Sequence, residues 1–249
     1  MKLFLFALPA ALLPGASAHY IFSRLIVNNT VSTDFQYIRD VSALDGNPPM
    51  FAKAFPIYNL SNPDLKCGKS AFPVRNPSIE TATVLAGDDV GFHLSGPYSE
   101  GDIQPEIFHE GPGQVFLSKL PVGMDIMDYD GSGDFFKIAY AGPANSTTWS
   151  LYGQTSMNFT IPATTPPGKY LLRIEQFFAS SNKGQSQWYV SCAHVDIVGS
   201  GGGTPGPFIR FPNAYKDEDP NIWFHEEGTN RFPKDISGYL MPKPDVWQG

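Results

Sequence analysis

The run Gln187-Trp188-Tyr189-Val190-Ser191-Cys192-Ala193-His194-Val195-Asp196-Ile197-Val198 alternates with a period of two. Gln187, Tyr189, Ser191, Ala193, Val195 and Ile197 share one face, while Cys192, His194 and Asp196 share the other. The first face ends in Ala, Val and Ile and is therefore read as the core side of a strand. Upstream, Tyr170 to Phe177 has the same character and follows the turn Pro166-Pro167-Gly168. Further strand signals run over Tyr20 to Val27, Gln114 to Leu120, Phe135 to Ala139 and Ser156 to Ile161. Thr81 to Leu94 holds a Gly-Asp-Asp turn between two short apolar runs. No stretch sustains a helical period. Short strands separated by Gly/Pro-rich turns predict an all-β chain folded as an immunoglobulin-like or fibronectin-like β-sandwich.

Around those strands the segments are long. Residues 28–66 read as an extended loop region with little regular structure, the kind of segment that carries function on a rigid scaffold. Gly199 to Gly203 resembles a linker. Residues 204–249 are rich in Pro and aromatic residues, lack an amphipathic pattern, and are too short for a separate carbohydrate-binding module. They read as a tail packed along the sandwich, so residues 19–249 are expected to form a single domain.

Residues 1–18 read differently. Lys2 precedes an apolar run from Leu3 to Leu13, a Pro14-Gly15 break follows, and Ala16-Ser17-Ala18 closes the segment with small residues. That is the pattern of a secretory signal peptide cleaved after Ala18, and the apolar run is too short to span a bilayer. The expected product is a secreted, extracellular protein. Hydrophobic residues make up 42% and charged residues 16% of the chain, enough for a sizeable core. A formal net charge of -7 argues against nucleic acid and anionic membranes as partners. Uncharged polysaccharides are not disfavoured. The two cysteines, Cys67 and Cys192, are most simply one disulfide in an exported chain. Asn28, Asn59, Asn145 and Asn158 are N-x-S/T sequons and fit a glycoprotein surface.

Cleavage after Ala18 gives His19 a free α-amine beside its imidazole, a pair that can chelate a metal and suits copper. A signal peptidase can leave any residue first, so the junction alone leaves a ligand role open. Of the other four histidines, His93 and His194 lie in strands and fit surface or satisfied structural roles, as does His225 in the tail. His109 lies in the turn His109-Glu110-Gly111-Pro112 before a strand, where a side chain can be presented to a site. Taken alone, it too fits a structural role better than a ligand role.

Seven motifs then occur in order: His19 after the leader, Asn59-Leu60 through Cys67, His109-x-Gly111-Pro112, Pro167-Gly168-x-Tyr170-Leu171-Leu172-Arg173-x-Glu175, Gln187-x-Tyr189-x-x-Cys192, Phe211-Pro212-x-Ala214-Tyr215, and Tyr239 through Pro242-x-Pro244-x-Val246-Trp247-x-Gly249. Together they resemble the fungal lytic polysaccharide monooxygenases of auxiliary activity family nine, formerly glycoside hydrolase family sixty-one. The resemblance covers essentially the whole of residues 19–249. It implies one copper ion, cycling between Cu(II) and Cu(I), held by the amine and Nδ1 of His19 and Nε2 of His109, with Tyr189 in the axial direction. It makes Gln187 the amide that meets the oxygen co-substrate. It implies a copper-dependent enzyme that uses O2 or H2O2 and an external electron donor to take hydrogen from C1 or C4, cleaving cellulose, hemicellulose or a related β-glucan, and acting as a monomer.

One departure is visible. Aligning Arg173-x-Glu175 with the family places Ser180 where a histidine usually stands beside the metal. A serine hydroxyl does not titrate near neutrality and cannot deliver a proton as imidazolium does. Either the segment from Gln176 to Ser186 is rearranged, with Lys183 or Gln185 in the role, or the oxygen chemistry is altered. A non-catalytic secreted copper-binding protein on the same scaffold is the alternative that Ser180 favours. Hydrolysis by two carboxylates is a third reading, with Asp102, Glu106, Glu110, Asp125, Asp128 and Asp130 available. For the polysaccharide surface, Tyr20, Tyr215 and Tyr239 are the candidates, with Tyr37 from the long loop.

Overall fold

The computed structural model describes residues 19–41, 49–97, 104–179, 184–224 and 235–249. Among them the β-branched and aromatic runs form ten strands: β1 (Phe22–Val27), β2 (Thr30–Val31), β3 (Ala82–Leu85), β4 (Asp89–Leu94), β5 (Gly113–Lys119), β6 (Phe135–Ala141), β7 (Ser156–Thr160), β8 (Gly168–Phe178), β9 (Gln187–Val198) and β10 (Phe208–Ile209). A four-stranded sheet runs β2-β1-β4-β7 and a six-stranded sheet runs β10-β6-β5-β8-β9-β3. Among the described residues, helix is confined to single turns at Met50–Lys53 and Pro63–Leu65. The all-β sandwich expected from the sequence is the fold.

The two inner faces close on one apolar layer. Leu25, Phe92, Leu94, Val115, Leu117, Leu172, Ile174, Ala193 and Val195 lie in it, all buried. The Gly87-Asp88-Asp89 turn does not close a hairpin. β3 pairs in parallel with β9 through Ala82↔Val195 to Leu85↔Val198, whereas β4 pairs with β1 and β7, so the turn carries the chain from one sheet to the other. The long loop is pinned along the rest of that edge of β9. Arg39 donates its N–H to the Cys192 carbonyl (2.9 Å), His194 to Tyr37 (2.8 Å), and Ile57 and Trp188 exchange both backbone bonds. These contacts satisfy edge groups that would otherwise be open to another chain. Gly199 to Gly203 is a packed segment and not a free linker. Gly203 donates to the Thr164 carbonyl (2.9 Å), and a Cβ at Gly201 would come within 2.1 Å of the Thr165 oxygen.

The outer face of the six-stranded sheet is buried as well. Phe116, Phe135, Phe177 and Trp188 are covered by Phe211, Tyr215, Ile222, Ile236 and Tyr239. Trp188 stacks between Phe177 (4.1 Å) and Tyr215 (5.2 Å). Burial on this side demands that the polar groups there find partners. Arg173 and Glu175, both 0% exposed, pair at 2.7 Å. Glu175 also accepts from the Tyr215 hydroxyl (2.5 Å) and from Gln114 (2.7 Å). Arg173 donates to the carbonyls of Leu65 and Lys66. Lys137 donates to the Pro242 carbonyl, and Trp247 donates its N–H back to Lys137. Cys67 and Cys192 form the disulfide, closing a separation of 125 residues, a loop length worth about 4–5 kcal/mol on a chain-entropy estimate.

His194 is among these groups and is fully buried. Its Nε2 accepts from the Arg39 guanidinium (2.9 Å), which requires the neutral ring. Burial, with Arg39 adding, lowers its pKa from 6.5 to about 3. The unfolded chain binds a proton that the fold refuses, so this contribution to stability is complete above pH 6.5 and is lost as pH falls toward 3. The urea midpoint is expected to drop across that window, and His194→Gln, which keeps an acceptor but cannot titrate, is expected to flatten the drop. An equally steep decline in the variant would assign the acid sensitivity elsewhere.

Candidate metal centre

Two chain segments meet at one end of the sandwich. His19, Tyr20 and Ile21 lead into β1, held by the Ser95 N–H on the Ile21 carbonyl (2.9 Å) and by the Phe22↔Leu94 pairing. His109 occupies the turn before β5. That turn is fixed by Ile107, whose N–H donates to Gln154 (2.8 Å) and whose carbonyl accepts from Gly153 (2.9 Å). Gly111 then passes over β8 so closely that a Cβ would lie 1.9 Å from the Phe177 oxygen, at φ +155°. Only glycine fits there. Gly111→Ala is expected to lower Tm by roughly 4–8 °C, about 2 kcal/mol of strain in a chain of this size. A melt within a degree of the parent would show that the turn yields freely.

The imidazole centroids of His19 and His109 stand 6.0 Å apart. Two imidazoles that each place a nitrogen about 2 Å from a shared ion have centroids about 6 Å apart when they oppose one another. His109 Nε2 is buried and lacks a hydrogen-bond partner, and burial with His19 nearby lowers its pKa from 6.5 to about 4. The ring is therefore neutral at ordinary pH, with a lone pair on an otherwise unused nitrogen. Burial lowers the His19 pKa as well. Imidazole donors of this kind suit copper, zinc, iron or nickel, so the residues present fit a copper ion. No group of three or more His, Cys, Asp or Glu occurs among the described residues.

Tyr189 projects from the core face of β9 beneath this pair. Its ring stacks on Tyr20 (4.2 Å) and lies nearly parallel to His109 (5.7 Å). Its hydroxyl donates to Gln187 Oε1 (3.0 Å), two residues along the same face. Burial raises the phenol pKa far above its usual 10, so the hydroxyl keeps its proton. The structure thus brings together His19, His109, Tyr189 and Gln187.

The three tyrosines expected at the polysaccharide surface do not lie there. Tyr20, Tyr215 and Tyr239 are 1%, 6% and 8% exposed. Tyr20 donates to Gln176, Tyr215 to Glu175, and Tyr239 to the Asn221 carbonyl. Each ring is part of the core and its hydroxyl faces inward, so none can stack on a sugar. The rings that are exposed near the histidines are Phe55, Tyr58, Phe108 and Tyr152. Phe55 lies 5.2 Å from His19 and Phe108 5.5 Å from His109. Sequence reasoning passed over them because an isolated phenylalanine in a loop carries no motif. His93 is half-buried, with Nδ1 at the Leu94 carbonyl (2.7 Å), away from this cluster. Ser180, Lys183, Asp102 and His225 lie outside the described residues.

The profile of Auxiliary Activity family 9 (formerly GH61) matches residues 19–232. The chain is 43% identical over 263 residues to AA9 family lytic polysaccharide monooxygenase U of Thermothielavioides terrestris, with 100% of each chain covered. It is 37% identical to AA9 family lytic polysaccharide monooxygenase G of Aspergillus tamarii, covering 96% of this chain and 69% of that one. The solved structure of CvAA9A matches at a TM-score of 0.72 and 27% identity, over 92% of this chain and 98% of that one.

Proposed function

The chain belongs to Auxiliary Activity family 9, formerly GH61, and from that premise we propose that its processed form holds one copper ion between His19 and His109 and cleaves cellulose or a related β-glucan. Membership makes it a lytic polysaccharide monooxygenase, a copper-dependent oxidoreductase that acts on polysaccharide with an external reductant. No helix among the described residues is long and apolar enough to cross a membrane. The observation that carries the site assignment is the buried, partnerless Nε2 of His109 across from the His19 ring.

Two imidazoles alone make a sparse site, and the third nitrogen is the α-amine that cleavage after Ala18 would free. The family profile begins at the same residue, 19, which supports that boundary. When bound, copper supplies one-electron chemistry with O2 or H2O2 that takes hydrogen from C1 or C4 of a glycosidic linkage. The chain does the rest. His109 remains neutral because burial opposes its protonation. Tyr189, which keeps its phenol proton, would stand beside the ion held by the two histidines. By donating to Gln187 Oε1 it holds the Gln187 amide in one orientation, leaving the NH2 group to meet the co-substrate. The sequon residues Asn28, Asn59, Asn145 and Asn158 are all exposed, which supports their use as glycan acceptors.

Phe55, Tyr58, Phe108 and Tyr152 flank the histidines and provide the apolar faces on which a glucan would lie. Incubation of the processed protein with a reductant and amorphous cellulose is expected to give aldonic acids or C4 ketones by mass spectrometry, and none after chelation. Products that form equally without reductant and with chelator would return the reading to hydrolysis. Phe55→Ala and Phe108→Ala are each expected to weaken cellulose binding about 2- to 10-fold, the size of a lost aromatic contact, with the Cu(II) spectrum unchanged. Undiminished binding in both would move the substrate face elsewhere.

A further inference from the structure

Gln176 breaks the pattern of its strand. Along β8, Tyr170, Leu172 and Ile174 line the apolar layer between the sheets, and the next residue on that face is a glutamine, 0% exposed. An amide placed there must have every polar atom satisfied by the protein. Its Oε1 accepts from the Tyr20 hydroxyl. Its Nε2 donates to the His109 carbonyl at 2.9 Å, with the carbonyls of Phe177 (3.3 Å) and Gly111 (3.5 Å) at the margin of reach. Tyr20 is the chain neighbour of His19 and stacks on Tyr189.

We infer that Gln176 is a positioning residue, a buried strap that ties the residue after His19 to the main chain of His109 and so fixes the spacing of the two imidazoles. The inference rests on the copper site proposed above. The two histidines come from segments 90 residues apart that share no β-ladder pairing, since β1 belongs to the four-stranded sheet and β5 to the six-stranded one. The Tyr20–Gln176–His109 chain of bonds crosses that gap. It reaches both segments next to the ligands themselves, through atoms that the ligands do not use for metal.

Gln176→Met removes every strap bond while nearly conserving shape, and Tyr20→Phe removes one while keeping the ring stacked on Tyr189. Both are made in the full processed protein, with His109→Ala as the control for the site. The readouts are Cu(II) affinity by competition titration, the electron paramagnetic resonance spectrum of bound Cu(II), and the thermal melt. Each variant is expected to melt cooperatively, to bind Cu(II) about 10-fold more weakly, and to shift the copper hyperfine splitting. The double variant is expected to lose little more than the worse single one, because the strap acts as a unit. If Gln176→Met fails to fold, Tyr20→Phe decides alone. Variants that fold and keep the parent affinity and spectrum would overturn the inference while leaving the copper site intact. A parent protein that binds no copper, or binds it equally with His109→Ala, would overturn the site itself and the strap with it.

Discussion

A protein carrying one additional residue ahead of His19 is expected to bind Cu(II) at least 100-fold more weakly than the processed form, a loss of about 2.7 kcal/mol or more. Extension converts the α-amine of His19 into an amide nitrogen, which holds its proton at neutral pH and offers no lone pair to a metal. Among the described residues the centre has no third His, Cys, Asp or Glu to take its place. The fold should be indifferent to the change, because the segment is anchored after His19, by the Tyr20 hydroxyl on Gln176, the Ser95 N–H on Ile21 and the Phe22↔Leu94 pairing. Loss of affinity with an unchanged melt is therefore the expected pairing. The processed form should also weaken in acid, since its α-amine has a reference pKa of about 7.7–8.0 and must lose a proton to bind. Equal affinity in the extended and processed forms, measured by titration and resonance spectrum, would remove the amine from the site.

Glu175→Ala is expected to destabilise the fold by about 3–5 kcal/mol, the usual outcome of removing one partner of a buried ion pair. Its carboxylate is enclosed with Arg173 at 0% exposure for both. Truncation strands the Arg173 guanidinium and removes the shared acceptor of the Tyr215 hydroxyl and the Gln114 amide, which retain their bond to each other (3.1 Å). The guanidinium keeps the Leu65 and Lys66 carbonyls and the faces of Phe211 (3.6 Å) and Phe116 (5.5 Å). In contrast, replacing Arg173 and Glu175 together with apolar residues of similar volume should recover much of the loss. Denaturant titration of the two variants measures both effects, and a single variant within 1 kcal/mol of the parent would show that water reaches the pair.

Eight of the ten strands were legible because their residues alternate or are continuously apolar, whereas the two-residue β2 and β10 lie in segments read as loop and tail, too short to show a period. What period two could not reveal is that the second face of β9 is also covered. Cys192 and His194 look outward-facing by pattern, yet residues 37–39, Ile57, Phe211, Tyr215, Ile222, Ile236 and Tyr239 lie against that strand and its sheet. The same covering explains Tyr215 and Tyr239. Their place in motifs was read as exposure for a ligand, whereas the rings are needed to close an outer layer whose existence depends on tertiary packing. His19, His109, Tyr189 and Gln187 stand out by motif and order, and their side chains lie close together at one end of the sandwich. Gln176 was not, because a lone glutamine after an apolar row says nothing until its partners are in view. Phe55 and Phe108 were invisible for the complementary reason, since exposure is a property of the assembled surface.

That outer layer has a consequence for biosynthesis. The rings of Phe116, Phe135, Phe177 and Trp188 receive their cover from Phe211, Tyr215, Ile222, Ile236 and Tyr239, which leave the ribosome after all ten strands. Until those arrive, a nascent chain presents a sticky aromatic slab on a nearly complete sandwich. Folding therefore has a natural checkpoint after the sheets are made, and chains terminated near residue 207 are the ones holdase chaperones should retain.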